Sequence, residues 1–489
     1  MKIVLIAPPV MDYIDSVLRP ILMDADLECP PYGLHLLKAV LEAEGHQVVL
    51  ADLVGDGSNS ITPYSSELSD CSLVGIAATT LSWPTAREVI SQVRQMRPTV
   101  PIVLGGIHPT MFDTYLLQNF SVDYVVRGEG ELALVALCAA LESGRDVTLV
   151  PNLSWKGDGG HLCRNEVAPK ITKEQLALYP VPDYNPLPIN RYKGLPIESS
   201  RGCAFDCAFC STLYRQSWRG IPSSLFVDRL EKILPFVERT RSKSVFIVDD
   251  EFSTNPRRAI EITNLLRSRG LKLKFTYDSR ATDLLYDGFV ESMSEFTLQF
   301  LVGAECGYDD GLVMTGKGTT TRVLEDAAKL LYRHQISERA DFSFILGLPW
   351  ETTAEVKQTC EFAAHLFATY GVRVVLQWYC EIPGSRLWQR DRECGLVSEA
   401  MYDDYGFFRD LYLFRTGVKL SPGEIWHISS LAHALKRVSQ VQTPEKNKVQ
   451  FGLPWPIAKY FPEELGRDLR GGISSLREIA HPGSRSSER

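Results

Sequence analysis

Ser200-Arg-Gly-Cys-Ala-Phe-Asp-Cys-Ala-Phe-Cys210 is the stretch of this sequence that decides the fold. It carries three cysteines in a CxxxCxxC pattern: Cys203, Cys207 and Cys210. Chance would place such a pattern in only roughly one chain in two hundred of this length and cysteine content. Three thiolates at this spacing can bind three irons of a four-iron cluster and leave the fourth iron open. A structural zinc site would need a fourth ligand, and the nearest upstream candidates, His161 and Cys163, show no second paired spacing.

The composition is that of an ordinary globular enzyme. The chain has 489 residues, enough for two or three domains, and 45% of them are hydrophobic and 23% charged. Its 11 cysteines are odd in number and spread over the whole chain, which indicates reduced thiols rather than a disulfide framework. The net charge of −8 lacks the basic excess typical of nucleic-acid binding. We therefore expect a small-molecule substrate and no nucleic-acid partner.

The location can be predicted from the apolar runs. The longest of them are far shorter than the roughly 20 residues that cross a bilayer, so no transmembrane segment is expected. The first nine residues, Met-Lys-Ile-Val-Leu-Ile-Ala-Pro-Pro, are typical of a buried strand rather than a signal peptide. These features predict a cytoplasmic protein.

Residues 1–145 alternate short apolar runs with helical patterns. Strands of about five residues that alternate with helices of about twelve predict an α/β fold with a doubly wound, Rossmann-like parallel sheet. Ligands of such sheets bind at the carboxyl ends of the strands. The predicted strand ends carry small and polar residues suited to a flat or phosphate-bearing ligand. No GxGxxG follows the first strand, which argues against a dinucleotide.

The rest of the chain divides into three parts. Residues 146–190 are rich in Gly and Pro and are predicted to be a linker. Six strand-helix units follow in residues 191–395, too few for a closed eight-unit barrel but enough for an open, partial (β/α)6 barrel of the TIM type. Residues 396–489 are predicted to form a small, mostly helical region with a helix near 422–439 and a frayed tail from about residue 471.

The CxxxCxxC pattern, with the aromatic Phe209 before its last cysteine and a six-unit partial barrel after it, resembles the radical S-adenosylmethionine superfamily. The resemblance covers about residues 190–395. It implies one 4Fe-4S cluster held by the three cysteines. It further implies that the open iron chelates the amino and carboxylate groups of S-adenosylmethionine, which the reduced cluster cleaves to a 5′-deoxyadenosyl radical.

Later strand ends are similar to those of the branch that carries an N-terminal cobalamin-binding domain. The similar segments are residues 248–252, 279–280, 303–307, 314–319 and 347–352. The residues expected to bind S-adenosylmethionine are Phe209, Arg280, Glu305, Gly347 and Leu348. Arg280 offers a guanidinium fork for a carboxylate, and Glu305 can accept from an ammonium or from ribose hydroxyls. The alternative is an ion pair between these two residues without a catalytic role.

Asp249 and Asp250 follow one of the predicted barrel strands. They could form an acid/base pair, but adjacent residues on a strand point to opposite faces. We therefore expect one of them to cap the following helix.

The N-terminal domain resembles the cobalamin domain of that branch in residues 30–46, 105–110 and 126–131. The residues expected to contact cobalamin are Thr79, Thr80, Gly105, Gly106, His108, Arg127, Gly128 and Glu129. The DxHxxG motif that gives a histidine ligand to cobalt is absent from the sequence. The branch often lacks this motif, and the resemblance implies that cobalamin can still bind with its nucleotide tail displaced and no histidine on cobalt. His108 is a candidate near the corrin, although ring nitrogens more often form ordinary hydrogen bonds. His35, on an apolar helix, is more typical of a core residue.

The resemblance implies a cobalamin-dependent enzyme that transfers a methyl group to an unactivated carbon of a natural-product or lipid intermediate. An external electron donor such as flavodoxin or ferredoxin is implied as well. Three alternatives remain: a cyclase or rearrangement enzyme of the same branch, a methylthiolating tRNA modifier, and a non-catalytic corrinoid carrier. Neither further paired cysteines nor a basic C-terminal domain favours the tRNA modifier, and the intact CxxxCxxC counts against the carrier. Substrate specificity is expected in residues 377–381 and after residue 395.

Overall fold

The computed structural model describes residues 1–10, 29–185, 187–403 and 419–440. Within these residues the chain forms a seven-stranded sheet, a six-stranded sheet and a two-stranded ribbon. The tail predicted from residue 471 and most of the aromatic segment 402–408 lie outside the described residues. No helix in the described part is both long and apolar enough to cross a membrane.

The first sheet contains five parallel strands and two antiparallel strands. Its strands are β1 Lys2–Ala7, β2 Gln47–Asp52, β3 Leu73–Ala77, β4 Ile102–Gly105, β5 Tyr124–Val126, β6 Leu153–Lys156 and β7 Leu162–Arg164. The order across the sheet is β2-β1-β3-β4-β5-β6-β7, and β1 to β5 are parallel. Its helices are α1 Tyr32–Ala43, α2 Leu53–Asp56, α3 Ser65–Ser69, α4 Trp83–Met96, α5 Ile107–Asn119, α6 Glu131–Ser143 and α7 Lys173–Leu178.

Both faces of this sheet are buried. In β1, Val4 and Ile6 pack into one hydrophobic core, while Ile3, Leu5 and Ala7 pack into another. A strand that is buried on both faces has a continuous apolar sequence, which explains why the first nine residues could be predicted to form a buried strand. The predicted doubly wound α/β domain is confirmed.

The segment predicted as a linker, residues 146–190, is more structured than its composition indicates. It contributes β6 and β7, an antiparallel hairpin that continues the first sheet beyond residue 145. Gly159 and Gly160 occupy its turn with φ of 75° and 80°, a region that favours glycine. The glycine content therefore reflects a tight hairpin turn. Leu153 is fully buried in the second of the two cores.

The second sheet is the predicted open barrel of six parallel strands. The strands of the sheet and the ribbon are β8 Gly194–Ile197, β9 Ser200–Arg201, β10 Arg219–Gly220, β11 Ser244–Ile247, β12 Phe275–Ser279, β13 Thr297–Glu305, β14 Ala340–Leu346 and β15 Arg373–Trp378. The sheet order is β15-β14-β13-β12-β11-β8, while β9 and β10 form the ribbon. This arrangement confirms the predicted partial barrel.

Nine α-helices accompany the second sheet in the described residues. They are α8 Ser223–Val237, α9 Pro256–Ser268, α10 Ala281–Leu284, α11 Phe289–Ser294, α12 Asp309–Thr315, α13 Thr321–Arg333, α14 Thr353–Tyr370, α15 Arg386–Glu393 and α16 Pro422–Gln440. α10 and α11 are two short helices rather than one, and Gly288, which precedes α11, has a φ of 77° that no helix interior adopts. The described chain also contains 3-10 helices at Thr62–Tyr64, Val147–Leu149, Asp158–Gly160, Ile189–Arg191, Phe252–Thr254, Ser337–Arg339 and Glu399–Asp403.

Candidate functional site

The three cysteines lie on the loop between β9 and β10. The N–H of Cys203 donates to the carbonyl of Tyr214 at 3.1 Å, and the N–H of Ser217 donates to the carbonyl of Cys203 at 3.0 Å. Gly202 has a φ of 82°, and a Cβ there would overlap the carbonyl oxygen of Ser217. A glycine at this position therefore lets the two sides of the loop approach closely.

The cysteine side chains suit a cluster better than a single metal ion. Cys207 is buried and Cys203 and Cys210 are half-buried, and all three are free thiols. Among the described residues, no three His, Cys, Asp or Glu side chains are grouped to hold one metal ion, so His161 and Cys163 of the β6–β7 hairpin do not complete a zinc site. In a four-iron cluster each cysteine binds a different iron, so the three sulfurs do not have to converge on one point.

Arg280 connects the end of β12 to the cysteine loop. Its Nη1 lies 4.0 Å from the Sγ of Cys207, and its guanidinium carbon lies 3.6 Å from the centroid of the Phe205 ring. Its Nη2 donates to the carbonyl of Lys317. The side chain is only 3% exposed, and its Nε has no hydrogen-bond partner among the described residues. A buried cationic donor beside a cysteine is therefore available to an anionic group.

Glu305 pairs with Lys317, and the structure shows no ion pair between Glu305 and Arg280. Glu305 ends β13 at a register shift and has a φ of 63°, which is uncommon for a residue with a side chain. Its Oε1 accepts a hydrogen bond from the Nζ of Lys317 at 2.8 Å. Gly303 lies beneath this pair, where a Cβ would overlap the lysine ammonium. The sequence analysis did not single out Lys317, although the two glycines that flank it were a possible signal.

The turn after β14 uses its backbone internally. Gly347 has a φ of 76°, and the N–H of Leu348 donates to Oε2 of Glu351 at 2.9 Å. Glu351 is fully buried and also accepts from the hydroxyl of Tyr308 at 3.0 Å. Burial raises the pKa of Glu351 to about 7. The Leu348 N–H is thus engaged within the turn. Phe209, the other residue predicted to bind S-adenosylmethionine, is half-buried against the core.

Asp249 holds the residues just before the cysteine loop by hydrogen bonds. We expected Asp249 or Asp250 to cap the following helix, and this prediction is wrong. Asp249 accepts hydrogen bonds from the N–H and the hydroxyl of Ser199 and from the hydroxyl of Ser200. The residue that caps α9 is Asn255, which accepts from the N–H of Arg258. Ser199 and Ser200 can donate to Asp249 because the serines follow β8 and Asp249 follows β11, the strand that pairs with β8.

Asp250, which like Asp249 lies beyond the end of β11, has different partners. It accepts from the N–H of Gly202 at 2.9 Å and from the hydroxyl of Thr212 at 3.0 Å. Asp250 therefore also holds the loop, and neither aspartate is arranged as an acid/base pair.

A cavity of about 450 Å³ lies where the carboxyl edge of the first sheet faces the barrel. Its lining from the first domain includes small residues of the strands, of the turns that follow them and of the first turn of α1: Gly33, Gly75, Ala77, Gly105, Gly106, Gly128 and Gly130. The barrel contributes Glu198, Ser200, Arg201, Tyr214, Val248 and Asp250. A Cβ on Gly33 or Gly105 would meet no heavy atom within 4 Å, so these positions border open space. Gly106 has a φ of 100°, and a Cβ there would lie 2.6 Å from the carbonyl oxygen of Ala78.

Half of the predicted cobalamin contacts line this cavity. Gly105, Gly106, Gly128 and Glu129 are among its lining residues, while Thr79, Thr80, His108 and Arg127 are not. Thr79 is occupied by hydrogen bonds with Ser82.

His108 and Arg127 point into protein. His108 is fully buried, its ring stacks on Trp83 with centroids 4.9 Å apart, and its Nδ1 lies 3.4 Å from the hydroxyl of Thr80. Burial lowers the pKa of His108 to about 3. Arg127 donates to the backbone carbonyls of Asn152 and Asn165, and its Nε lies 3.7 Å from the carboxylate of Asp113, which pairs more closely with Arg164 at 2.7 Å.

The sequence analysis missed an ion network beside the cavity. Arg201 pairs with Glu129 at 3.1 Å, with Glu131 at 2.8 Å and with Glu198 at 3.0 Å. Burial lowers the pKa of Arg201, but Glu198 and Glu131 outweigh that effect and raise it above its usual value. Arg219 also pairs with Glu129, at 2.8 Å. Two features of the sequence could have indicated this network: the two glutamates in residues 128–131 and the arginine two residues before the first cysteine.

The fold and the site together define a two-domain enzyme that combines a cobalamin-type α/β domain with a radical S-adenosylmethionine barrel. Residues 18–138 match the family model of the B12 binding domain, and residues 197–363 match that of the Radical SAM superfamily. The chain belongs to the cobalamin-dependent radical S-adenosylmethionine enzymes. The three cofactors predicted from the sequence, a 4Fe-4S cluster, S-adenosylmethionine and cobalamin, are those of this family.

Relatives and solved structures agree with this assignment. The chain is 32% identical over 400 residues to the uncharacterized methyltransferase PH0819 of Pyrococcus horikoshii, covering 80% of this chain and 83% of that protein. It is 27% identical to the anaerobic magnesium-protoporphyrin IX monomethyl ester cyclase of Rubrivivax gelatinosus, covering 68% of this chain and 62% of that enzyme. The radical S-adenosylmethionine methyltransferase TsrM of Kitasatospora setae, solved with tryptophan and aza-SAM, has the same fold, with a TM-score of 0.69, 19% identity and coverage of 99% and 100% of the two chains.

Proposed function

We propose that this enzyme transfers a methyl group to an unactivated carbon of a natural-product or lipid intermediate. The observation that carries the proposal is that the cysteine loop and the interdomain cavity share residues. Arg201 lies two residues before Cys203 and lines the cavity, and Asp250 lines the cavity and accepts from the N–H of Gly202. A methyl donor in the cavity and a radical source on the loop would thus serve one substrate space. The methyltransferase names of PH0819 and TsrM favour methylation.

When bound, the cluster supplies the electron that cleaves S-adenosylmethionine, and cobalamin supplies the methyl group. Cys203, Cys207 and Cys210 hold three irons in this proposal. Arg280 presents buried N–H donors beside Cys207, suited to the carboxylate of S-adenosylmethionine. Glu305, fixed by Lys317, offers its second oxygen to an ammonium or hydroxyl group. The remaining proposed contacts are Phe209, Gly347 and Leu348.

The cavity suits a flat ring because glycines line one side of it. Gly105, Gly106, Gly128 and Glu129 are the proposed cobalamin contacts that lie in its lining. Thr79, Thr80, His108 and Arg127 would act only indirectly, through the packing behind the strand ends. Among the described residues, no histidine lines this cavity. The protein is expected to hold cobalamin without a histidine on cobalt.

The deciding experiment follows the methyl group. Turnover with S-adenosylmethionine deuterated on its methyl group should give 5′-deoxyadenosine, S-adenosylhomocysteine and a product that carries the intact trideuteromethyl group. Formation of both nucleoside products follows because one S-adenosylmethionine supplies the radical and another supplies the methyl group. The second candidate is a cyclase, favoured by the similarity to the Rubrivivax gelatinosus enzyme. Unlabelled product with 5′-deoxyadenosine and no S-adenosylhomocysteine would overturn methylation and favour the cyclase.

The same proposal includes an external electron donor such as flavodoxin or ferredoxin, since each radical cleavage consumes one electron. A cytoplasmic location is also proposed, because all 11 cysteines lie in described residues and are free thiols, which suits a reducing compartment. Reduction of the reconstituted cluster by flavodoxin, followed by electron paramagnetic resonance, tests the donor. A cluster that accepts electrons only from dithionite would contradict this part of the proposal.

A further inference from the structure

Two carboxyl groups lie side by side beyond the last barrel strand, and neither lines the cavity. Glu381 follows the end of β15 by three residues, Asp391 belongs to α15, and the two residues are 0% and 1% exposed. A side-chain hydrogen bond joins them. Oε1 of Glu381 and Oδ2 of Asp391 are buried, and neither accepts a hydrogen bond from any other described residue. Ionised carboxylates only accept, so a hydrogen bond between the two groups requires that one of them carries a proton.

The surroundings place that proton on Glu381. Oδ1 of Asp391 lies 2.6 Å from Nη2 of Arg390 and accepts from its Nε at 2.8 Å, which stabilises the negative charge of Asp391. Burial, the hydrogen bond with Asp391 and the charge of Asp391 raise the pKa of Glu381 to about 8. Oε2 of Glu381 accepts from the hydroxyl of Tyr379 at 3.1 Å. At neutral pH the protonated carboxyl group of Glu381 therefore donates to Asp391.

The other titratable groups around the pair come from three elements and from its own segment. They are Tyr379, Cys380, Arg390 of α15, Tyr402 and Glu399 of the 3-10 helix that begins at Glu399, and His108 of α5, whose ring centroid lies 6.3 Å from that of Tyr402. Burial raises the pKa of both tyrosines above its usual value and lowers the pKa of His108 to about 3. Glu399 pairs with Arg392. The tyrosines and the histidine therefore stay neutral between pH 6 and 8, the range in which Glu381 begins to lose its proton.

The first turn of α15 holds the cysteine loop. The N–H of Leu387 donates to the carbonyl of Ala208 at 3.1 Å, and Nη2 of Arg386 donates to the carbonyl of Asp206 at 2.8 Å. The first N–H groups of a helix have no partner within the helix, so they are available to a neighbouring loop. The backbone between the first and last cysteines is thus fixed from the side of α15.

Arg215 adds a second connection between the loop and this segment. Its Nη1 donates to the carbonyl of Cys210 at 2.8 Å, and its Nη2 donates to the carbonyl of Gly384 at 3.0 Å. Gly384 stands between Glu381 and α15 in the chain. The whole segment from the end of β15 to α15 therefore has to keep its place for the cysteine loop to keep its own.

We infer that Glu381 and Asp391 are positioning residues for the iron-sulfur cluster: the proton that they share fixes α15 against the end of β15, and α15 in turn holds the cysteine loop. Loss of the proton leaves two buried carboxylates facing each other, and their repulsion favours an open position of α15 and a looser loop. The inference uses the cluster of this family but not the methyl transfer, so it can fail while the proposed function stands.

The test follows the release of iron from the reconstituted holoenzyme to the ferrous chelator bathophenanthroline disulfonate, under anaerobic conditions between pH 6 and 8. The pKa of Glu381 is about 8 in the closed position and returns towards its ordinary value of 4.5 when α15 opens. The contribution of the proton is fully present below about pH 4.5 and is lost as the pH rises through about 8, so the open population grows by up to about tenfold for each pH unit in this window.

The key variant is Glu381→Gln, because its NH₂ donates to Asp391 at every pH while its oxygen still accepts from Tyr379. Between pH 6 and 8 iron release from wild-type protein should accelerate at least about tenfold more than release from this variant. Comparison at each pH cancels the pH dependence of the chelator. Asp391→Asn is the second variant, since its NH₂ donates to Glu381 without a shared proton, and it should lose the acceleration as well. The matched control is Glu393→Gln, an exposed residue of the same helix that accepts from Gln389 at 2.8 Å and should behave as wild type does.

Parallel release profiles of wild-type protein and Glu381→Gln would overturn the inference. A wild-type rate that does not change between pH 6 and 8 would overturn it without any variant, and so would a Glu393→Gln protein that loses the acceleration. If Glu381→Gln does not fold, the comparison with Asp391→Asn decides in the same way. An acceleration seen in wild type and Glu393→Gln and lost in the other two variants supports the shared proton. None of these results bears on methyl transfer, which the labelled-methyl experiment decides separately.

Discussion

Replacing Lys317 by Met should leave Glu305 as an unpaired anion inside the barrel. The Lys317 Nζ and the Glu305 Oε1 are 2.8 Å apart, and the residues are 9% and 5% exposed. Gly303 closes the space beneath the pair, so water has little room to replace the ammonium. Burial lowers the pKa of Lys317, but Glu305 outweighs this effect and raises it above its usual value. The lysine is therefore charged at neutral pH, and its stabilising effect is fully present there.

The expected loss can be worked from this geometry. At 2.8 Å two unit charges attract each other by about 6 kcal/mol at an effective dielectric constant of about 20. Desolvation of both ions offsets much of that gain, so the intact pair contributes little net stability. Removal of one partner is different, because the remaining charge stays buried, and the unfolding free energy should fall by ~3–5 kcal/mol. The double variant Lys317→Met with Glu305→Gln should recover at least about 2 kcal/mol of that loss.

Urea unfolding of the apo protein at pH 7, followed by circular dichroism, measures these changes. The matched control is Arg322→Ala, which breaks an exposed pair with Asp326 on α13 and should have no measurable effect. An unfolding free energy for Lys317→Met within about 0.5 kcal/mol of wild type would refute the reasoning, since that is the error of such comparisons. A double variant no more stable than the single one would refute it as well.

Three further predictions concern the cofactor sites and the turn after β14. Replacement of Cys203, Cys207 and Cys210 by Ala should abolish the four-iron content and the charge-transfer absorption of reconstituted protein; a full complement of iron would contradict the cluster assignment. Gly106→Leu should reduce corrinoid retention, because its Cβ would lie 2.6 Å from the carbonyl oxygen of Ala78, and unchanged retention would place the ring elsewhere. Burial raises the pKa of Glu351 to about 7, so its neutral form favours folding below about pH 4.5 and this stability is lost as the pH rises through about 7. Glu351→Gln should flatten the decline of unfolding free energy between pH 5 and 8, and an unchanged slope would assign the decline to other groups.

The alternation of strands and helices in both domains could be predicted because parallel strands that are buried on both faces have largely apolar sequences, as Lys2–Ala7 of β1 shows. The hairpin of β6 and β7 was missed, since strands of four and three residues are too short to show a periodicity and β6 pairs with β5, which lies before α6 in the chain. Sequence patterns indicate elements, whereas short edge strands depend on the sheet that they join.

The sequence predicted which edge of the sheet carries the site. It did not predict the direction in which each side chain points. His108 and Arg127 do follow strands at the expected edge. Packing on Trp83 takes His108 into the core, and hydrogen bonds to the carbonyls of Asn152 and Asn165 hold Arg127 away from the cavity. Such choices depend on partners that are distant in sequence. Lys317 was overlooked for the same reason, because its role is visible only once β13 brings Glu305 beside it.

The ion network around Arg201 connects the two proposed cofactor sites. Arg201 belongs to the barrel and stands two residues before Cys203, while Glu129 and Glu131 belong to the first domain. A movement of the first domain relative to the barrel would have to separate these charges or carry the cysteine loop with it. Separating them would leave buried carboxylates unpaired, which costs more than moving a loop held by a few hydrogen bonds. Changes at Glu129 or Glu131 should therefore alter the environment of the cluster as well as the cavity, even though neither residue touches a cysteine.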